Sequence, residues 1–218
     1  MSQRGNPRRI VAATVAILLT AVLTAPTASA HRHHRAAPVP VDGQHISGGE
    51  VLANIFERAY LHSDAQEGTC QPVARHVIVP FGDENEIARC TTSRRTKLTV
   101  GTGASCSTAE PPPFYAATAA EQLACALEGD ATVEAINVVI DGAPPVDIHQ
   151  RRFELISPQR ALILPPDNLS ELPPGPMTFR AHGWFALISG LRRGPHTINV
   201  EVIASDYAYG FTVLLELV

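Results

Sequence analysis

Apolar and polar residues alternate along the carboxyl-terminal half of the chain, which is the pattern of strands with one buried face. Between residues 196 and 204, Ile198, Val200 and Val202 alternate with polar residues such as Asn199 and Glu201. Because successive side chains of a strand point to opposite faces of a sheet, this alternation predicts a strand that packs one face on a core. Similar patterns predict further strands over residues 132–140, 153–156, 161–164, 177–187 and 211–218.

The amino-terminal half contains two segments with the period of a helix. After Ser47, apolar residues such as Val51 and Ile55 fall on one helical face, and Ser47 with Glu50 three residues later fits a capping box. A second, short helix is predicted over Thr118–Leu127.

The pattern between the two helices is weaker. An apolar run predicts one strand over Val73–Phe81, which passes into the acidic loop Gly82–Glu86. Residues 91–113 are rich in Thr, Ser, Gly and Pro and predict an irregular segment with a short strand at Lys97–Val100. The oxygen donors of the acidic loop suggest a calcium site, but the missing ligands of an EF-hand favour a solvated turn.

These elements predict a mainly β fold. About seven strands separated by turn residues are typical of an antiparallel β-sandwich, here with two short helices in the amino-terminal half. We interpret residues 47–218 as a single domain, because a chain of this length builds one core.

The first 30 residues have the pattern of a cleavable signal peptide. Three arginines precede an uncharged apolar run, and Ala28-Ser29-Ala30 supplies the small residues of a cleavage site. Threonines and a proline interrupt the run, so a cleaved signal is favoured over a membrane anchor, and no stable membrane insertion is expected after cleavage. Residues 31–46 mix His, Arg, Ala and Pro and are interpreted as a flexible arm.

The formal net charge of the chain indicates which class of partner is not expected. Removal of residues 1–30 leaves 14 basic against 21 acidic residues, which moves the formal net charge from −4 to −7. A mildly acidic chain does not attract phosphate backbones, so nucleic acid is not expected as a partner.

Four cysteines, all in the predicted mature chain, indicate a disulfide framework. They are Cys70, Cys90, Cys106 and Cys125. An even count in an exported chain predicts two disulfides, and the lack of a close C-x-x-C pair argues against a zinc site. Four cysteines allow three connectivities, among which the sequence does not choose.

One predicted strand carries a candidate binding surface. Arg180, His182 and Trp184 are spaced two residues apart and therefore share one face of the sheet. We expect them to form a small exposed strip of polar and aromatic groups. A single tryptophan weakens the case for a sugar-stacking platform.

The predicted mature amino terminus suggests a metal site. Cleavage after Ala30 would free His31-Arg32-His33, whose α-amine, amides and third-position imidazole suit square-planar Cu(II). Alternatively, His31 alone would chelate copper through its amine and imidazole, as in secreted copper oxygenases. A flexible arm does not preorganise an oxidative site, and such short motifs recur by chance, so no cofactor is expected.

Six short motifs occur in order along the rest of the chain. They are Val77–Phe81, Cys106–Glu110, Ile140–Gly142, Leu164–Asn168, Gly183–Leu187 and Gly194–Ile198. In these motifs the chain resembles a family of small exported bacterial proteins that have a β-sandwich fold and no assigned activity. The resemblance covers most of residues 70–218 and implies a fold but no reaction. The chain departs from the family at Gly183, where an aspartate and a glycine usually precede the aromatic pair.

No catalytic constellation stands out in the sequence. The context of Ser105 lacks the glycine two residues later that a nucleophile elbow requires. We therefore predict a secreted, non-enzymatic protein that acts by binding or as a structural part of the envelope. Its expected partner is an extracellular protein or a cell-wall polymer. The alternative is a copper-binding protein, or a copper-dependent oxidase, that uses His31 and His33.

Overall fold

The computed structural model describes residues 36–42, 47–61, 68–81, 87–168 and 170–218. The predicted signal peptide, the predicted copper ligands His31 and His33, and the acidic loop Gly82–Glu86 lie outside the described residues. Predictions about these segments therefore remain predictions.

The described residues form two α-helices and twelve strands, together with a short 3-10 helix at Arg151–Phe153. In chain order, the elements are β1 (Ala37–Pro40), α1 (Gly48–Leu61), β2 (Thr69–Ala74), β3 (Val77–Phe81), β4 (Ile87–Thr92), β5 (Lys97–Ser107), α2 (Ala119–Gly129), β6 (Val133–Ile140), β7 (Val146–Asp147), β8 (Glu154–Ile156), β9 (Arg160–Leu164), β10 (Gly175–Ser189), β11 (Gly194–Ala204) and β12 (Ala208–Leu217).

The strands form two sheets, and the prediction of a mainly β fold with two helices is confirmed. Sheet A has the order β1-β10-β5-β3-β2, with β8 and β9 also paired to β10, and sheet B has the order β4-β12-β11-β6-β7. Both sheets are mixed, because β3 is parallel to β5 and β4 is parallel to β12. The expectation of purely antiparallel pairing was therefore wrong. The chain leaves sheet A after β3, adds β4 to sheet B and returns as β5, so β5 runs in the same direction as β3.

The long strand β10 has both faces covered. Ala186 and Ile188 join the main core, to which strands of both sheets contribute. Phe185 and Leu187 point the opposite way and pack in a second cluster with Val51 and other apolar residues of α1. Sheet A is thus covered by sheet B on one face and by α1 on the other.

The predicted arm of residues 31–46 includes an ordered strand, so the prediction of a flexible arm was wrong for residues 37–42. Ala37–Pro40 pairs with the end of β10, and Val41 is fully buried. Two prolines hid this strand from the sequence pattern. Proline is tolerated at the edge of a sheet, where its missing N–H faces away from the ladder.

The segment predicted as one strand over Val73–Phe81 is a hairpin. The chain turns at Arg75 and at His76, whose φ is 61°, so β2 and β3 lie side by side. The predicted irregular segment, residues 91–113, contains the last two residues of β4 and the whole of β5, of which the predicted short strand Lys97–Val100 is only the first part. In β5, Gly103 lies opposite Gly183 of β10, and a Cβ on Gly103 would lie 2.3 Å from the carbonyl oxygen of His182. The close approach of the two strands requires glycine there, and this glycine hides the strand pattern.

The helices begin where the sequence indicates. At α2, the Thr118 hydroxyl accepts a hydrogen bond from the Glu121 amide, and the Glu121 carboxylate accepts one from the Thr118 amide, which completes a capping box. At α1, the Ser47 hydroxyl accepts a bond of 3.4 Å from the Glu50 amide.

Two disulfides are present, as predicted, and they settle the connectivity. Cys70 pairs with Cys90, and Cys106 pairs with Cys125. The first bond joins β2 of sheet A to β4 of sheet B, and the second joins β5 to α2. Two disulfides suggest a non-cytoplasmic, oxidising environment. Among the described residues, no helix is long and apolar enough to span a membrane.

Candidate functional site

A cavity opens beside β5, where sheet A splits. β3 pairs with β5 only at Lys97 and Leu98, whereas β5 continues to Ser107. Beyond Leu98 the edge of β5 that faces β3 has no further strand pairing in the described part of the chain, apart from a single bridge between Ser107 and Tyr115. A cavity of about 330 Å³ lies along this edge, between α1, β3 and β5.

Aromatic side chains converge on this cavity from four elements. They are Phe56 of α1, Phe81 of β3, Phe185 of β10, and Tyr209 and Phe211 of β12. The chain has only 12 aromatic residues (seven Phe, four Tyr and one Trp), so these five are a large share of them. Four of the five rings are half-buried: each packs against a core cluster on one side and borders the cavity on the other.

One polar pair interrupts the apolar wall. The hydroxyl groups of Thr102 and Tyr209 form a hydrogen bond of 2.5 Å across the two sheets. Among the described residues that line the cavity, none carries a charged side chain. The arrangement can therefore hold an uncharged, mostly apolar molecule and offer it one hydrogen-bonding position.

Arg180, His182 and Trp184 share one face of β10, as predicted, but they do not form an exposed strip. The side chain of His182 is 3% exposed, because α2 and β8 cover it. Arg180 donates to the carbonyl oxygen of Ser157 at 3.0 and 3.1 Å, and Trp184 is half-buried between His182 and His149. The prediction of exposure was therefore wrong for His182, since the residues that cover it lie far from it in the sequence.

His182 bridges two carboxylates. Its Nδ1 lies 2.8 Å from the Asp130 carboxylate, and its Nε2 lies 3.2 Å from the Glu154 carboxylate. Burial acts to lower the pKa of His182, but the hydrogen bonds and negative charges of Asp130 and Glu154 outweigh it and raise the pKa above its ordinary value. Both ring nitrogens are occupied, so His182 has no free lone pair for a proton transfer or a metal ion.

A second buried polar cluster lies at the end of α1. The Tyr60 hydroxyl donates to the Glu110 carboxylate at 2.8 Å and lies 2.8 Å from the Ser105 hydroxyl. Burial raises the pKa of Glu110, against the lowering effect of hydrogen bonds from Tyr60 and Ser107. Burial also raises the pKa of Tyr60, so the phenol stays protonated and does not serve as a base for Ser105. This cluster ties α1 to β5.

Metal ligands are not grouped in the described ranges. No set of three or more His, Cys, Asp or Glu side chains there is placed to hold a metal ion.

The comparisons with known proteins give no relative: no protein-family model, curated protein or solved structure matches this chain. The fold and the cavity therefore define a class only, a mainly β protein with two disulfides and an apolar cavity beside β5.

None of the residues that line the cavity was predicted from the sequence as a site residue. The last strand was predicted over residues 211–218, yet β12 already begins at Ala208 and brings Tyr209 onto Thr102. The available signal was the alternation of Tyr207, Tyr209 and Phe211, which continues the apolar face of the last strand backwards.

Proposed function

We propose that this protein is a secreted binding protein that holds a small, uncharged and mostly apolar molecule in the cavity beside β5. The convergence of five aromatic rings on one cavity of about 330 Å³ is the observation that carries the proposal. Ligand cavities are typically about 300–1,000 Å³ and are lined by apolar and aromatic side chains with a few polar groups. This cavity lies at the small end of that range, which favours a ligand of no more than about three rings.

The hydroxyl groups of Thr102 and Tyr209 would orient the ligand. A bound alcohol, phenol or carbonyl group would exchange hydrogen bonds with this pair, while the rings of Phe56, Phe81 and Phe211 cover its apolar part. A charged ligand is disfavoured, because burying a charge without a partner costs several kcal/mol.

The signal-peptide pattern of residues 1–30 and the two disulfides support the proposed secretion. The two sheets would then be the layers of a β-sandwich, as in the family of exported proteins that the chain resembles. Copper binding by His31 and His33 gains no support from the described residues, so it stays a prediction.

A fluorescence titration tests the proposed function. N-phenyl-1-naphthylamine is neutral and fluoresces strongly in apolar surroundings, so we expect saturable binding of one probe molecule per protein. Phe211→Trp places a larger ring at the cavity wall and should weaken binding at least about tenfold, which corresponds to roughly 1.4 kcal/mol. The matched control is Phe114→Trp, because Phe114 is exposed and does not line the cavity.

The control should bind the probe within about twofold of the wild type, an effect of roughly 0.4 kcal/mol. An absence of saturable binding would contradict the proposal. Equal binding by Phe211→Trp and the wild type, with unchanged melting temperatures, would place the probe elsewhere on the protein and also contradict it.

A further inference from the structure

Three turns meet at one end of the molecule. The first, Arg75-His76, joins β2 to β3, and its His76 carbonyl oxygen accepts a hydrogen bond of 2.8 Å from the Lys97 amide. The second, residues 93–96, immediately precedes Lys97. The third, residues 190–193, follows the end of β10, where Ile188 pairs with Leu98. Strand pairing thus brings together turns that are distant in the sequence.

These turns concentrate positive charge. We call their basic residues the basic end: Arg75, His76, Arg94, Arg95, Lys97, Arg192 and Arg193. All are exposed except Lys97, which is half-buried. Five of the 17 Lys and Arg residues precede residue 36, and six of the remaining twelve belong to the basic end, although acidic residues outnumber basic ones in the whole chain. Half of the Lys and Arg residues that follow residue 36 therefore lie at this one end.

Two acidic residues, Asp141 and Glu216, lie near the basic end. Asp141 accepts hydrogen bonds from His196 Nδ1 at 2.7 Å and from the Thr197 amide at 2.9 Å, so its carboxylate is already engaged. Glu216 lies opposite Pro195 on the outer face of sheet B. Within the described ranges, Arg75, Arg94, Arg95 and Arg193 form no ion pair.

We propose that the basic end binds a linear polyanion with repeating phosphate groups that lies outside the cytoplasm. Six of the seven side chains are Arg or Lys, and five are Arg, whose planar fork binds phosphate oxygens in pairs. Several such groups on three turns match a chain of repeated charges better than a single small anion. The proposal is independent of the apolar ligand, because the cavity carries no charged wall.

The surroundings of the basic end favour a polymer over a lipid surface or a nucleic acid. Of the large apolar side chains that are exposed in the described residues, only Val218 lies at this end, so little apolar surface is available to enter a bilayer. No Phe, Tyr or Trp lies in the three turns to stack on unpaired bases. The disulfides indicate an oxidising environment, away from most nucleic acid.

Fluorescence anisotropy with end-labelled polyphosphate tests this proposal on the full mature protein. We expect binding at low salt that weakens as salt rises, because each phosphate contact releases counterions and contributes about −0.7 to the slope of log K against log salt for a single-stranded chain. The variant Arg94→Ala/Arg95→Ala should bind at least about tenfold more weakly and should make this slope shallower by about 1.4. Arg192→Ala/Arg193→Ala removes a pair from another turn and should have the same effect.

The control is Arg151→Ala/Arg152→Ala, which removes the same charge from an exposed pair outside the three turns. It should bind within about twofold of the wild type and keep the slope, since it removes no phosphate contact. Equal losses in the control and in both test variants would show that net charge alone acts, and would overturn the proposal. Tighter binding to vesicles with 30% anionic lipid, or to duplex DNA at equal phosphate concentration, would also overturn it.

Discussion

At the scale of single residues, His182 stabilises the contact between α2 and sheet A. Its ring joins Asp130, the residue that caps the C terminus of α2, to Glu154 of β8. Asp130 also accepts a hydrogen bond of 3.2 Å from the Ala104 amide of β5. A protonated His182 neutralises part of the charge of two carboxylates that are partly or fully withdrawn from water.

This geometry predicts how stability depends on pH. Because its pKa is raised on folding, the stabilisation from protonated His182 is fully present below its ordinary value of 6.5 and is lost as the pH rises through the higher pKa of the folded state. Burial acts to lower the pKa of His196, but the Arg192 carbonyl and Asp141 outweigh it and raise the pKa. Protonated His196 therefore also stabilises the folded state, and this stabilisation is also lost as the pH rises. The wild type should therefore become less stable as the pH rises above 6.5.

The variant His182→Gln isolates this contribution. It removes the cation but leaves both carboxylates. The free energy of unfolding should therefore fall by about 3 kcal/mol at pH 6, as expected for breaking a buried ion pair, and by less at pH 8. Urea unfolding at the two pH values measures the difference. His149→Gln, which changes the neighbouring and more exposed ring, serves as the control and should keep the pH dependence of the wild type. A loss that is the same at both pH values would contradict the assigned role of His182.

At the scale of elements, β5 depends on close contact with β10. A Cβ on Gly103 would lie 2.3 Å from the His182 carbonyl oxygen and 2.9 Å from the Gly183 Cα, and neither backbone atom can move away alone. Gly103→Ala should therefore destabilise the protein by about 1–3 kcal/mol, in the range of overpacked interiors. Thermal unfolding measures this effect.

The same substitution should also weaken binding of the naphthylamine probe, because Gly103 lines the cavity and a displaced β5 changes its width. A Gly103→Ala variant with wild-type stability would show that the two strands are not held as closely as described. The part of β5 that the sequence pattern missed, residues 101–107, thus includes residues that border the proposed ligand.

Helices and strands differed in how well the sequence predicted them. The segment Thr118–Leu127 carries its own capping box and apolar face, so local signals are sufficient to define α2. Beyond Val100, β5 has no such local signal, because glycine, serine and threonine fill positions that a core strand usually gives to larger apolar residues. Its pairing with β10 and its disulfide to α2, both of them contacts between distant residues, determine its structure.

At the scale of the whole molecule, the two disulfides connect different parts of the fold. Cys70–Cys90 connects the two sheets, whereas Cys106–Cys125 holds α2 on sheet A. Their sequence separations are 20 and 19 residues, so the loop-entropy model predicts nearly the same stabilisation for each, about 3 kcal/mol.

Paired Cys→Ser variants test this prediction by urea unfolding. The free energy of unfolding should fall by about 3 kcal/mol in each of two double variants, Cys70→Ser/Cys90→Ser and Cys106→Ser/Cys125→Ser. Only the second pair should also alter the pH dependence that depends on Asp130, because only that disulfide holds α2. A difference of more than about 2 kcal/mol between the two losses would show that contacts, rather than loop closure, dominate the contribution of one disulfide.

The sequence by itself determined the class of fold, the presence of two disulfides and the start of each helix. These features depend on neighbouring residues: alternation places apolar side chains on one face of a strand, and capping residues satisfy amides within three positions. The number of cysteines alone indicates paired thiols in an exported chain.

The tertiary structure alone decided the disulfide connectivity, the burial of His182, the cavity and the basic end. Each of these brings together residues that lie far apart in the sequence: His182 is 52 positions from Asp130, and Thr102 is 107 positions from Tyr209. Such contacts follow from the order and direction of strands in the two sheets. Because that order results from the energy of the whole core rather than of any one segment, no local pattern in the chain specifies it.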